Sequence, residues 1–558
     1  MTHVLPKLGK CVDSSLTSGR IIIPDGLFRL NKGWSTPVFL HEYFSHLYDR
    51  EGYLRDNVNP VYIRELRTLL FLFYKLEQEF TPQQVLDATQ KFIETDDQVK
   101  REFTSDQIEA IKGYFQEVLP DDPFDIKPHH SSGATADNVN NVMKLHIVRH
   151  IPKLNKVYGP KYFFNTLTHA RMSKAAGQLV VANPTAKVVF VPKDSRGPRT
   201  ICKEPHEIMF AQKGLQVKVY EAIETPGNPA YKRINFTDQT INQHLAYLGS
   251  IDNSLATIDM KDASDLVSWD LIRQLCNDDW LAALDATRSA IVTLPDGTTR
   301  KLYKFAPMGS AMCFPIEAIA FYSIARTVTD KVWVYGDDII VPTEHAVNVI
   351  KALEAYGLVI NRDKSLITGF FKESCGGEYY RGANITPLRL KKIDLVSIVA
   401  FANNIAGIFG NRSGEAIIRW YELLNHEIIL RLSASNRTKI DNNRFLIHCP
   451  LIAFYGDTDN SILFPRRWNE SLQKFELRSL TVVTRPLPPP SFIEGSSSEY
   501  NEFFYWLTNS EFSSSPLDRD ITQELLTDVI PYQNYNVGFD GSLSQRVKLS
   551  KPKVCYRW

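Results

Sequence analysis

Two short apolar runs, residues 332–335 and 339–341, flank a Gly-Asp pair in Lys331-Val-Trp-Val-Tyr-Gly-Asp-Asp-Ile-Ile-Val-Pro342. Strand-forming β-branched and aromatic residues on both sides of so short a link predict a β-hairpin whose turn needs positive φ. Gly336 supplies that freedom, and Asp337 and Asp338 sit at the tip. Upstream, apolar residues at helical spacing predict amphipathic helices over 61–80, 82–94 and 105–118, the second entered through a Thr81 cap and Pro82 in its first turn. Leu255-Ala-Thr-Ile-Asp-Met260 reads as a strand ending in Asp259, followed by a helical run over 266–284. Leu294-Pro-Asp-Gly297 reads as a turn, Pro307-Met-Gly-Ser-Ala311 as a loop opening a helix over 314–328, and residues 344–356 as another helix. Residues 371–382 suggest a second hairpin; 392–409 and 416–432 return to helix, and the Pro and Ser runs after 486 mark loops.

At 558 residues the chain needs several subdomains or two to four domains. Its 64 basic and 63 acidic side chains nearly cancel, so net charge names no partner and local charge has to be examined. The seven cysteines are widely spaced with no Cys-x-x-Cys pair, which argues against a disulfide framework or zinc ribbon and fits a reducing cytosol. The start lacks a signal-peptide apolar core and the densest apolar run, residues 69–74, is far short of a membrane span, so a soluble intracellular protein is expected.

Adjacent carboxylates at the end of an apolar hairpin repel each other, and burial disfavours their charged forms, so the arrangement is costly without a cation. Mg²⁺ meets that need through carboxylate, water and phosphate oxygens, and polymerase sites use two such ions about 3.5–4 Å apart. For the Gly-Asp-Asp triplet alone, a solvated turn is the bland alternative. Asp259 stands at the carboxyl end of its strand, a common position for a ligand-binding acid, and the chain between it and Asp337 leaves room for two neighbouring strands to bring the acids together.

Residues 138–193 contain no Asp or Glu but carry Lys144, Arg149, Lys153, Lys156, Lys161, Arg171, Lys174, Lys187 and Lys193, with Tyr158, Tyr162, Phe163 and Phe164 interleaved. That is a candidate footprint for a phosphate backbone; a solvated basic face with its aromatics in the core explains it equally well. His146 and His150 have metal-ligand spacing but no acidic partner nearby, and read as ordinary histidines. Lys193, Arg196, Arg199 and Lys203 recur on a loop or extended ribbon broken by Gly197 and two prolines. Lysine's point charge and arginine's fork together suit a triphosphate.

Taken in order, Val191-Pro-Lys193, Cys202-Lys-Glu-Pro205, Asp238-Gln-Thr-Ile-Asn-Gln243, Leu255-Ala-Thr-Ile-Asp259 with Ala263-Ser-Asp265, Met308-Gly309, Tyr335-Gly-Asp-Asp-Ile-Ile340 and Glu373-Ser-Cys-Gly376 resemble the catalytic β subunit of single-stranded RNA bacteriophage replicases. The resemblance covers about 130–390. It implies an α+β right-hand polymerase: an amino-terminal mostly helical region over 1–130, fingers over 131–250, a palm over 251–390 whose antiparallel sheet is backed by helices, and a mainly helical thumb with the carboxy-terminal region over 391–558. It implies Mg²⁺ at Asp259, Asp337 and Asp338, as two ions for which Mn²⁺ can substitute. Lys193, Arg196, Arg199 and Lys203 then line the path of the nucleotide, Asp265 with Ser310 senses the ribose, and Lys364 matches a lysine that protonates departing pyrophosphate, a surface lysine being the equal alternative.

One departure stands out: related phage enzymes show Met-Gly-Asn-Gly followed by an aromatic and Thr, where this chain has Ser310, Ala311 and Cys313. The implied activity is RNA-directed RNA polymerisation from NTPs on a viral single-stranded template, in the cytoplasm of a bacterial host. The implied partners are template and nascent RNA together with host elongation factors Tu and Ts and the largest small-subunit ribosomal protein. A reverse transcriptase would share the paired acids and is told apart by its use of dNTPs. A non-catalytic RNA-binding protein would explain the basic stretch but not acids on strand ends.

Overall fold

The structure is a computed structural model that describes residues 3–139, 144, 149–159, 179–180, 183–194, 197–392, 401 and 404, together with five carboxy-terminal strands. The chain divides into two compact units, Met1–Pro387 and Leu388–Trp558.

The first unit begins with α1 (Val4–Ser18), α2 (His41–Leu47), α3 (Pro60–Phe71), α4 (Pro82–Gln98) and α5 (Ser105–Val118). Thr81 and Thr104 each build a capping box with the glutamine three residues on, satisfying amide groups that the first turn leaves free. The helix expected over 61–80 stops at Phe71. From Leu69 to Phe73 the apolar residues run around the whole circumference, so the stripe ceases to mark a helix, and the chain continues in turns closed by Tyr74 N to Phe71 O and Leu76 N to Phe73 O.

Next come β1 (Arg149–His150), α6 (Pro152–Asn155) and β2 (Leu179–Val180), then the long hairpin β3 (Thr185–Asp194) and β4 (Gly197–Lys203). The basic segment around 193–203 is therefore an extended ribbon with a register shift between Pro192 and Asp194. Two further helices follow, α7 (His206–Ile223) and α8 (Thr240–Asp252).

Strand β5 (Leu255–Lys261) leads through a 3-10 turn, Ala263–Leu266, into α9 (Trp269–Leu275) and α10 (Asp278–Thr287). The single helix expected over 266–284 is thus three pieces, because Ser268 and Asn277 cap new starts: Asn277 accepts from the Trp280 amide at 2.8 Å. After β6 (Ile291–Thr293), β7 (Thr299–Lys301) and α11 (Cys313–Arg326) come β8 (Trp333–Tyr335), β9 (Asp338–Pro342), α12 (Thr343–Ala355), β10 (Val359–Ile360), β11 (Phe371–Ser374), β12 (Gly377–Tyr380) and β13 (Ala383–Asn384).

The central sheet has the order β10-β5-β9-β8 and is antiparallel throughout. Side chains alternate across a strand, so Ala256, Ile258 and Met260 face one way, and with Val334, Ile339 and Val341 they join a large core built on α5, α7 and α9–α12. Thr257 and Asp259 face the other way. A second core packs α1–α3 against Phe371, Tyr380 and Ile385 of the β11–β13 sheet. There the fully buried Arg67 pairs with Asp13 (2.7 Å) and Glu378 and donates to the Ile385 carbonyl (2.6 Å). The amino-terminal helices are thereby tied to the hairpin that borders the site.

In the second unit Arg466–Asn469, Lys474–Leu477 and Lys553–Val554 form an antiparallel sheet, and Leu480–Pro486 pairs with Leu543–Leu549. Of the helices expected over 392–409 and 416–432 only Lys392, Phe401 and Asn404 are described, Lys392 without regular structure and the other two helical; the Pro and Ser runs lie outside the described residues. No helix among the described residues is long and apolar enough to cross a membrane, and Cys11, Cys202, Cys276, Cys313 and Cys375 are free thiols.

Candidate active site

The Gly-Asp-Asp hairpin forms as expected, and more tightly: Tyr335 pairs with Asp338, leaving only Gly336 and Asp337 in the turn. Gly336 has φ +61°, and a Cβ there would lie 2.2 Å from Cε2 of Phe314, so both backbone and space demand glycine. Asp338 opens β9 and stands opposite Asp259 in the antiparallel register, both on the face turned away from the large core. Carboxylates from two strands distant in sequence are thereby neighbours.

A third carboxylate completes the group. One oxygen from each of Asp259, Asp338 and Glu373 lies within 4.8 Å of the others. Asp337, exposed at the turn, is not in that group; desolvation of its carboxyl beside the site, with the charge of Asp259, pushes its pKa up. Glu373 comes from β11. Its hairpin turns at Cys375, held at φ +49°, and Gly376, and the Cys375 amide donates to Asp338 Oδ2 at 3.0 Å. From α8, Asn242 donates to the Asp338 carbonyl (3.2 Å) and Gln243 to the Cys375 carbonyl (2.9 Å), fixing hairpin and strand to each other.

Asp259 is bound on three sides. Asn361 donates to Oδ2 at 2.5 Å, Lys364 to Oδ1 at 3.2 Å, and the Ser365 hydroxyl meets its backbone amide at 3.1 Å. Burial and the surrounding acids push Asp338 well above the ordinary carboxylate range and Glu373 to about 7. Burial opposes the charge of Lys364, but Asp259, Glu373 and Asp338 outweigh it and raise its pKa. Behind the site, Glu317 of α11 is buried with one carboxyl oxygen unpartnered; burial and the charges of Asp337 and Asp265 raise it. Four acids, counting Asp337, around one lysine form a hard-oxygen donor set with uncompensated negative charge, which suits a divalent cation such as Mg²⁺ or Mn²⁺.

The remaining expected residues fall into different places. Arg199, exposed on β4, is near enough to Asp337 for its charge to lower that group's pKa. Lys203 lies on the same strand, opposite Lys187 in the register, and Lys193 at the register shift of β3; Arg196 lies outside the described residues. Asp265, in the 3-10 turn after β5, is bonded by Lys304 Nζ at 2.8 Å and not by Ser310. Ser310 is buried in the loop whose Gly309, at φ +112°, packs against the Cys202 carbonyl, and the Cys202 amide donates to Met308 O at 2.8 Å.

The basic stretch is in part a correction. Lys144 donates to the Ser131 and Gly133 carbonyls, Arg149 pairs with Asp137 and Glu207, and Lys153 reaches the carbonyls of Asp285 and Arg288. These charges are spent internally, Arg149 on acids outside its own segment and the two lysines on backbone carbonyls, and Tyr158 is in the core. Lys161, Tyr162, Phe163, Phe164, Arg171, Lys174 and His146 lie outside the described residues. Glu373, Asn361, Asn242 and Gln243 were not read from sequence as site residues. The only signal was that Glu373, Asn242 and Gln243 fall inside the blocks carrying the resemblance.

The family described as RNA replicase, beta-chain matches residues 129–455, more than half of the chain, and the chain belongs to that family. The RNA-directed RNA polymerase beta chain of Enterobacteria phage fr is 38% identical over 244 residues, 42% of this chain and 43% of the relative. That of Escherichia phage MS2 is 34% identical over 261 residues, 45% and 46% of the two chains, and the RNA-directed RNA polymerase subunit beta of Escherichia virus Qbeta 33% over 261 residues, 44% and 43%. Each match thus spans less than half of the relative's length. A solved structure titled RdRp complex overlaps with a TM-score of 0.31 and 12% identity over 60% of this chain and 32% of that one, too little to carry an argument.

Proposed function

We propose that the chain is an RNA-directed RNA polymerase that copies a phage single-stranded RNA genome by nucleotidyl transfer from NTPs. The observation that carries this reading is the register placing Asp259 opposite Asp338, with Glu373 beside them, inside the span that matches the replicase family. In this reading residues 251–390 are the palm, 131–250 the fingers and 391–558 the thumb and carboxy-terminal region, with residues 1–130 buttressing the palm.

Asp259 and Asp338, with Glu373 and the more exposed Asp337, hold the magnesium. When bound, the metal supplies activation of the attacking 3′-hydroxyl and neutralisation of the triphosphate. Arg199, with Lys193 and Lys203 on the same hairpin, adds fixed positive charge where the triphosphate's charge develops, and the family resemblance assigns Arg196 to the same path. Lys364, kept protonated by the acids around it, is placed to give a proton to departing pyrophosphate. Ser365 and Asn361 hold Asp259 in position, and Cys375 and Asn242 hold Asp338. RNA template and product, NTPs, host elongation factors Tu and Ts and the largest small-subunit ribosomal protein are the partners of this reading, and the cytoplasm of a bacterial host its location.

The test is incorporation of labelled NTP on a primed RNA template, using the full chain purified with whatever host proteins accompany it. Wild type should incorporate NTPs only with a divalent ion, and Asp259→Asn and Asp337→Asn should each lose about a hundredfold or more. Variants that copy RNA at the wild-type rate, or a wild type that accepts only dNTPs, would refute the reading.

A further inference from the structure

We propose that Lys304 is the positioning residue for Asp265, holding its carboxylate as the acceptor that recognises the sugar of the incoming nucleotide; this rests on the polymerase reading above. Lysine is rarely buried completely unless it is paired. The Lys304 side chain is 0% exposed, its Nζ lies 2.8 Å from Asp265 Oδ1, and the Asp265 side chain keeps 25% exposure. One carboxylate oxygen is thus bound from inside the protein, and the group still reaches solvent.

The lysine is held as firmly as its partner. Its ammonium lies 4.0 Å from the centroid of the Phe92 ring. Its backbone amide and that of Tyr303 donate to the carboxylate of the fully buried Asp96 at 3.0 and 3.1 Å. Phe92 and Asp96 both belong to α4, and a third residue of that helix, Lys91, reaches Asp262 at 2.6 Å, where the chain enters the 3-10 turn at φ +52°. The helix therefore grips the turn carrying Asp265 directly at one end and through Lys304 at the other. Asp265 follows Asp259 by six residues, just past the end of β5, and the buried Glu317 is within electrostatic reach of both Asp265 and Asp337.

The chemistry follows from the donor and acceptor inventory. A carboxylate only accepts hydrogen bonds and has two oxygens. With Oδ1 taken by Lys304, Oδ2 is left for a hydroxyl, and a ribose 2′-hydroxyl can donate where a deoxyribose cannot. A site built to bond a hydroxyl penalises the analogue lacking it, and a charged acceptor enlarges the penalty. Because Ser310 does not bond Asp265, orientation of the acceptor falls to Lys304.

The experiment compares single-nucleotide incorporation of CTP and dCTP by the full chain, with its accompanying proteins, as kcat/KM on one primed RNA template. Wild type should prefer CTP. Lys304→Met should cut that preference by about tenfold or more, chiefly through a higher KM for CTP with dCTP use little changed. Lys304→Arg should keep most of it. Asp265→Asn should lose the preference to a similar degree, and Asp265→Asn with Lys304→Met should lose no more than either alone, since the two act as one device. The double variant buries no unpaired charge, so it also serves as the readout if Lys304→Met does not fold.

A Lys304→Met enzyme with the wild-type preference, or one losing CTP and dCTP use equally, would overturn the proposal, as would a double variant that keeps the wild-type preference or loses clearly more of it than either single variant. A wild type that incorporates neither nucleotide would instead remove the polymerase reading and the inference with it.

Discussion

Asp259 and Asp338 face each other across two antiparallel strands, Asp259 at the carboxyl end of β5 and Asp338 at the start of β9. The pairing makes the separation of two carboxylates a property of the sheet's hydrogen-bond register instead of loop conformation. A site built this way is rigid, and a one-residue slip of β9 against β5 would turn Asp338 toward the apolar core. The tight turn between β8 and β9 and the α8 contacts to Asp338 and Cys375 guard against that slip.

The turn itself is the first point to test. Gly336→Ala adds a Cβ 2.2 Å from Phe314 at φ +61°, whereas Gly297→Ala, at φ +87°, meets nothing within 4 Å. Backbone strain alone costs about 1–3 kcal/mol at such positions. Thermal melting should show Gly297→Ala within that range and Gly336→Ala clearly beyond it; equal losses would mean that Phe314 yields easily.

Arg67 links the amino-terminal helices to the hairpin carrying Glu373. Arg67→Ala leaves Glu378 and Asp13 without their buried cation and should destabilise by about 3–5 kcal/mol in denaturant unfolding. A loss under about 1 kcal/mol would show that water replaces the guanidinium.

The expected pH dependence centres on His130, stacked on Phe210 at 4.4 Å. Burial, with help from the charges of His206, Lys144 and His129, lowers it to about 4. In the unfolded chain histidine titrates near about 6.5, so between those values the unfolded state binds more protons and stability rises with pH. This contribution is complete above pH ~6.5 and is lost as pH falls toward 4. Glu373 and Asp338, raised by burial, act in the opposite sense over this range, so His130→Phe should lower the slope of the stability profile between pH ~4 and ~6.5 relative to wild type; an unchanged slope would assign it to other groups.

Arg199→Ala should weaken NTP use, raising KM for all four nucleotides about tenfold while leaving melting unchanged, because the side chain is exposed and its charge acts on Asp337. Steady-state kinetics with unchanged KM values would remove Arg199 from the nucleotide's path.

What could be read from the chain was what is local. The Gly336 turn, the Thr81 and Thr104 starts of α4 and α5, and the strand ending at Asp259 are written in neighbouring residues. The convergence of Asp259 with Asp338 could be anticipated only as room for two strands, since the register that sets it is long-range. Glu373 was illegible as a ligand because its approach depends on Cys375 adopting a left-handed backbone and on bonds from α8. Lys304, in the polar-looking Lys-Leu-Tyr-Lys-Phe run, gave no sign of complete burial, which comes from Phe92 and Asp96 two hundred residues away. Lys144, Arg149 and Lys153 misled in the opposite sense: clustered charge looks like a surface, and the fold turned these three inward.

The central claim is that carboxylates from three strands, Asp259, Asp338 and Glu373, hold one divalent ion. Manganese(II) binding to the full chain, followed by electron paramagnetic resonance, tests it without reference to catalysis. Wild type should bind Mn²⁺ saturably, and Asp259→Asn, Asp338→Asn and Glu373→Gln should each weaken binding at least about tenfold, since even outer-shell partners cost about 10–100-fold. Wild-type affinity retained in all three variants would contradict the account.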